Sequence, residues 1–183
     1  MRQSSFNNMG CPIAGALEHF GDWWSLLIMR DALDGFTRFD EFQENLGIAP
    51  NILTRRLKSL TDAGLLERRQ YSERPARYEY LLTESGRDLG PVIVALYLWG
   101  IKHTDLDHHS VVLVDQDSGA EIEPVYVDRR SGRPLREIRA VFAAGRAATD
   151  QMRRRHDPET KAALRDRALR SGARQHSEHG ETR

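Results

Sequence analysis

The stretch Ala49–Leu66, APNILTRRLKSLTDAGLL, constrains the chain more than any other. Leu53, Leu57 and Leu60 fall at i, i+4 and i+7 and make one apolar stripe on a helix, while Asn51, Thr54, Arg55 and Lys58 repeat at helical spacing on another face. One face packs; the other is polar and basic. Pro50 suits the first helical turn, where its missing N–H costs nothing, and Gly64 suits the left-handed residue that stops a helix. Planar or forked donors (Asn51, Arg55) beside groups that suit phosphate (Thr54, Lys58) are what a helix needs to read a major groove. A solvated amphipathic helix would show the same pattern, so the neighbours must decide.

Upstream, Cys11-Pro12 opens CPIAGALEHF, followed by GDWWSLLIMRDAL. Asp22 is a helix cap, and Trp23, Leu26, Leu27, Arg30 and Leu33 recur at helical spacing as its core stripe. Gly35 breaks the chain. Thr37 caps the next helix, TRFDEFQENLG, with Asp40 as a capping-box carboxylate and Phe39, Phe42 and Leu46 on one stripe. Gly47 ends it, and only Ile48 and Ala49 precede the next helix, so the pair reads as helix-turn-helix.

Downstream, Glu67 to Tyr71 and Arg77 to Thr83 are strand-like, separated by SERPA, whose Pro75 cannot join a ladder. Tyr78, Tyr80 and Leu82 alternate with Arg77, Glu79 and Leu81, giving a hairpin with two different faces. Arg74 lies at its tip and Arg68, Arg69 and Arg77 on its flanks. A basic hairpin directly after a helix-turn-helix is a wing, placed to reach phosphates or a minor groove.

Charge supports this through its distribution. The formal net charge of the 183 residues is zero, yet residues 51–80 hold seven basic side chains against four acidic ones, and the acidic excess lies upstream. No apolar run is long enough to cross a bilayer, and MRQSSFNNMG lacks the apolar core of a signal peptide, which points to a cytoplasmic protein with no membrane partner. One cysteine excludes a disulfide within the chain and any all-cysteine metal site. GxGxxG, P-loop, HExxH and GxSxG patterns are absent, so neither catalysis nor a cofactor nor a metal is expected.

The quoted segments, with FGDWWSLLIMRDAL, TRFDEF, LTRRLKSLTDAGLLERR, PARYEYLLTESGRDL and Trp99-Gly100, are collinear over about residues 10–103. On them the chain resembles the HxlR-type branch of the MarR-like winged-helix transcriptional regulators. The resemblance implies a homodimer whose two reading helices contact a pseudo-palindromic operator in double-stranded DNA, repressing or activating a nearby promoter. One departure is Ala49, where many relatives place a capping Ser.

Thr83 to His103 reads as one long helix capped by Thr83, bent or locally broken at Pro91. Its stripe of Leu89, Val92, Ile93, Leu96 and Trp99 is larger than one wing needs and is a candidate dimer seam. In the resembled family this helix and the N-terminal segment build the dimer, which sets the reading helices roughly 34 Å apart. Cys11, at a helix start, would have its thiolate favoured, and the resemblance implies redox or quinone sensing there. Burial by Phe20 and its neighbours would instead make it inert.

From Val111 the chain changes character. Val111 to Val114 and Ile122 to Val127 are strand-like, and the turns DQDSG and DRRSG are near repeats. Some relatives carry a zinc ribbon here. The matching positions are Asp115, Ser118, Asp128 and Ser131, and serine is a poor zinc ligand, so the expectation is a degenerate ribbon whose hairpin persists without metal. His103, His108, His109, Asp105 and Asp107 read as a polar linker. VFAAGRAATDQMRRRH reads as a further helix, followed by a partly helical, then disordered tail. Residues 129–183 hold fifteen basic and seven acidic side chains, an excess that attracts DNA non-specifically, unless it is simply a solvated surface or contacts a partner's acidic helices.

The expected fold is mainly α with a small β wing: a winged helix-turn-helix, a C-terminal β-hairpin and a helical tail. The expected divisions are a flexible 1–10, a DNA-binding and dimerisation domain over 11–108, a hairpin appendage over 109–137 and a basic tail over 138–183. The expected DNA contacts are Asn51, Thr54, Arg55, Arg56, Lys58, Arg68, Arg74 and Arg77, with Trp23, Trp24 and Trp99 around a small-molecule effector. The alternative function is a winged helix used for protein interaction without specific DNA binding.

Overall fold

The computed structural model describes residues 11–104, 111–164 and 166–167. The N-terminus 1–10, the linker side chains Asp105, Asp107, His108 and His109, and the tail beyond 167 lie outside the described residues. Two compact units divide the chain, one holding residues 12–112 and the other holding Cys11 together with the residues from Leu113 onward.

In the first unit, α1 (Pro12–Phe20) and α2 (Trp23–Leu33) precede the helix-turn-helix pair α3 (Phe39–Leu46) and α4 (Pro50–Asp62). Asp22 caps α2 as expected: its carboxylate accepts from the Ser25 backbone N–H at 3.1 Å and from Ser25 Oγ at 2.6 Å. The buried face of α2 differs from the expected stripe. Ser25, Ile28, Met29, Asp31 and Ala32 are buried, whereas Trp23 is 74% exposed and Leu26, Leu27, Arg30 and Leu33 are intermediate. Polar groups can occupy that face because each has a partner. Ser25 bonds Asp22; Asp31 accepts from Arg30 Nη2 at 2.6 Å and from Asn45 Nδ2 at 2.7 Å, which ties α2 to α3.

The cap of α3 is also shifted. Arg38, not Thr37, holds the cap position, and Glu41, not Asp40, is the carboxylate that reaches back, accepting from the backbone N–H groups of Thr37 and Arg38 at 2.9 Å each. Starting the helix at Phe39 puts Glu41 third in line, the position from which a glutamate reaches the free N–H groups. Those two bonds, the Thr37 one foremost, hold the Glu41 carboxyl below its ordinary range. Gly47 (φ +59°) ends α3 in the left-handed conformation, and Ala49 precedes α4 with no side-chain cap. Leu53, Leu57 and Leu60 are fully buried with Ile28, Met29 and Phe42, so α4 is seated on α2 and α3 by its leucine stripe. Each such side chain contributes about 1.5–3 kcal/mol of burial free energy.

The wing is the antiparallel pair β1 (Leu66–Glu73) and β2 (Ala76–Leu82), in register Leu66 to Leu82 and Arg69 to Glu79, with an irregularity between Gln70 and Ser72. The Tyr80 N–H donates to Thr37 O at 2.7 Å, and Arg38 bridges to Glu79, so the turn before α3 becomes a short third edge of the sheet. The base of the wing is thereby fixed to the start of α3.

The expected long helix from Thr83 is two helices, α5 (Glu84–Arg87) and α6 (Gly90–His103), separated at Asp88 and Leu89. Thr83 caps the first, accepting from the Gly86 N–H at 3.0 Å. Pro91 lies in the first turn of α6, where it starts a helix and does not bend one. Gly86 has no alternative residue, because a Cβ there would lie 2.2 Å from Leu65 O. Among the described residues no helix is long and apolar enough to cross a membrane.

In the second unit, within the span 109–137 expected as one hairpin, the described residues form two small antiparallel loops. One is closed by the bridge Val114 to Glu121, with the Ile122 N–H donating to Leu113 O at 2.9 Å, and the other by Val127 to Pro134, with the Leu135 N–H donating to Tyr126 O at 2.7 Å. Their geometry is duplicated. Gly119 N–H donates to Asp115 O and Gly132 N–H to Asp128 O, both at 2.8 Å, and both glycines are left-handed, with φ +69° and +68°. Asp115 accepts from Ser118 Oγ, and Asp128 from Ser131 Oγ, each at 2.6 Å, which holds both carboxyls below their ordinary range. The near repeat in sequence is a repeat in structure. Helix α7 (Asp150–Arg155) is shorter than expected, because Thr149 caps it by accepting from the Met152 N–H at 3.3 Å, while the segment from Val141 stays irregular.

Candidate nucleic-acid interface

With its leucines turned inward, α4 exposes Asn51, Thr54, Arg55 and Lys58 on one continuous face. Ser59 joins them, four residues beyond Arg55, and sequence reasoning missed it although the spacing points to it. Asn51 Oδ1 accepts from the Ile52 N–H at 2.9 Å, and Thr54 Oγ1 donates to Pro50 O at 2.8 Å, so both short side chains are held close to the helix start.

The cations fall into two groups. Lys58 pairs with Asp62 at 2.7 Å, and Arg56 Nε lies 3.1 Å from Asp22 Oδ1, an ion-pair contact whose direction falls short of a hydrogen bond. Arg56 is half-buried and staples α4 to the α2 cap, a poor position from which to meet DNA. Arg69 pairs with Glu79 across the wing at 2.7 Å, and the Arg68 guanidinium lies 3.4 Å from the centre of the Tyr78 ring. Arg55 on α4, Arg74 at the wing tip and Arg77 on β2 are exposed and carry no ion pair among the described residues. Among the α4 and wing cations, the charge with neither an ion pair nor a ring contact is therefore on the middle of α4 and at the end of the wing.

The three tryptophans do not form one site. Trp23 and Trp24 line an open cleft with Gly21, Asp22, Ile52, Arg55 and Arg56, whereas Trp99 packs against His103, ring centres 5.1 Å apart, away from that lining. Cys11 is half-buried directly before α1.

A family model described as HxlR-like helix-turn-helix matches residues 19–108. The chain is 37% identical over 103 residues to an uncharacterized HTH-type transcriptional regulator of Bacillus subtilis, covering 56% of this chain and 80% of that one. This chain belongs to the HxlR-like helix-turn-helix family. An uncharacterized HTH-type transcriptional regulator of Mycobacterium bovis is 47% identical over 91 residues, which is 50% of this chain and only 58% of the relative. A solved Pseudomonas aeruginosa protein, proposed as a transcription factor, is 49% identical with a TM-score of 0.56, covering 79% of this chain and 99% of the solved one. Coverage of 79% runs past residue 108, so that likeness includes part of the second unit. Both of these curated relatives are named as transcriptional regulators of helix-turn-helix type.

Proposed function

We propose that this protein is a homodimeric, sequence-specific regulator that binds a pseudo-palindromic operator, most simply as a repressor. One observation carries the reading: Arg55 stands exposed and unpaired on the α4 face opposite three fully buried leucines. In this reading α4 enters the major groove, with Asn51 and Arg55 toward base edges and Thr54, Lys58 and Ser59 toward phosphate. Arg74 and Arg77 carry the wing onto the flanking backbone. Self-association is supported by α6, which has no buried residue and exposes Val92, Leu96 and Trp99, and by exposed Ile13 and Leu17 on α1. A two-fold pair of copies would cover these faces and repeat the reading helices at roughly 34 Å.

A gel-shift titration against the DNA upstream of its own gene tests this, and no shifted band at modest salt from folded, dimeric protein would sink it. Arg55→Ala is expected to cost about 1–3 kcal/mol on the preferred site and to relax base preference, whereas Arg74→Ala weakens all DNA alike and lowers the salt slope by about 1. Equal loss from both variants on every DNA would overturn the division of roles.

The signal belongs to the same proposal. Cys11 is the only thiol of the chain, half-buried before a helix start, and oxidation would give either an intersubunit bridge or a mixed disulfide. Peroxide or diamide should release wild-type protein from DNA and leave Cys11→Ser bound. The two loops of the second unit are read as a metal-free ribbon, with Asp–Ser hydrogen bonds in place of metal bonds. Stoichiometric zinc in purified protein would refute that.

A further inference from the structure

Trp23 is the least sheltered tryptophan, 74% exposed, and it lies beside the half of α4 that carries Arg55. Water contact over so much indole is unfavourable unless a partner uses it. The surrounding cleft has an apolar wall of Trp23, Trp24 and Ile52 and a cationic rim at Arg55. Its one acid, Asp22, is already engaged by Ser25 and by Arg56, so the unbalanced charge is positive.

Two kinds of occupant suit an aromatic wall with a free guanidinium: a small aromatic anion or a nucleic-acid backbone. Small-ligand sites enclose most of the ligand surface. This cleft leaves its largest wall mostly in solvent and shares Arg55 with the α4 reading face, which favours a long polyanion running past it. We infer that Trp23 is a DNA-backbone contact, lying flat on a deoxyribose with its Nε1–H toward a phosphate, at the edge of the groove that α4 occupies. The contact comes from a different element than the reading helix and the wing, and so fixes the depth and tilt of α4 as well as adding affinity. Arg55 has two neighbours in this arrangement, the base edge ahead of it and the backbone beside Trp23. The inference rests on the DNA-reading function proposed above.

The test is a binding titration of the full dimeric chain on operator and on unrelated DNA at several salt concentrations. Trp23→Ala should weaken both by about tenfold, the loss of about 1.4 kcal/mol that one good backbone contact represents. Its salt slope should match wild type, since no charge is lost, whereas Arg74→Ala, which removes a phosphate-binding cation, should lower the slope. Trp23→Phe should recover part of the loss, and Trp23→Arg, which replaces the contact by a phosphate-binding cation, should recover most of it. Thermal melts within a few degrees of wild type separate a lost contact from a lost fold. Wild-type protein that binds no DNA would refute the function; wild-type protein that binds while Trp23→Ala binds equally well refutes this inference alone. If 2-naphthoate releases wild type from DNA while Trp23→Ala binds normally and no longer responds to it, the cleft belongs to a small molecule and the inference is wrong.

Discussion

Helices α4 and α6 are similar in length, thirteen and fourteen residues, and opposite in what one chain does for them. On α4 the apolar stripe is narrow and wholly covered: Leu53, Leu57 and Leu60 have no solvent exposure. On α6, GPVIVALYLWGIKH is apolar on nearly every side and no residue is buried. A helix that is hydrophobic all round ordinarily lies inside a larger core. The difference teaches where the chain is self-sufficient. The first unit completes the seat of α4, which leaves a polar face at liberty for a partner, whereas α6 remains half-dressed until something covers it.

The largest expected effect is on the completed side. Leu57→Ala removes a fully buried side chain between α2, α3 and α4 and should lower unfolding free energy by about 2–5 kcal/mol, read from a urea titration. The polar face of α4 would be unchanged, so DNA affinity measured well below the melting temperature should hardly move. A loss below about 1 kcal/mol would mean that the α4 seat is less decisive than its burial implies.

On the open side the expected effect is smaller in stability and larger in assembly. Leu96→Asp places a carboxylate on the exposed α6 stripe, so the isolated fold should survive while self-association weakens about a hundredfold. Sedimentation velocity over a concentration series reads both. Unchanged association would shift the seam away from α6, and an unfolded variant would show that α6 is already needed within one chain.

The same contrast explains what could be read from residues alone. The α4 stripe, its Pro50 start and its Gly64 stop are local properties, and each is where periodicity puts it. The buried face of α2 is not local. Ser25 and Asp31 are buried only because Asp22, Arg30 and Asn45 supply hydrogen bonds, and Asn45 belongs to another helix. Hydrophobic spacing cannot anticipate a polar residue that a distant partner makes acceptable. The candidate interface divides in the same way. Which side chains share the α4 face was legible, but which cations are free was not, since Asp22 neutralises Arg56 from 34 positions away and Glu79 holds Arg69 from the opposite strand.

The smallest expected effect sharpens the comparison at the turn that aligns α3 with the wing. Glu41 accepts the Thr37 and Arg38 N–H groups, and Thr37 O in turn accepts from Tyr80 N–H, so one carboxylate steadies both the helix start and the sheet edge. Those bonds lower its folded pKa from the ordinary 4.5. A group with a lowered folded pKa stabilises the fold above its unfolded value, and that contribution is lost as pH falls through the folded value. Glu41→Gln should therefore cost about 1 kcal/mol near neutrality and progressively less in acid, until variant and wild type unfold alike. Asp40→Asn, one residue earlier and without these bonds, should change little at any pH. Urea titrations of the three proteins from pH 7 downward make the check, and a pH-independent Glu41 effect, or an Asp40 effect as large, would remove the carboxylate from the link between α3 and the wing.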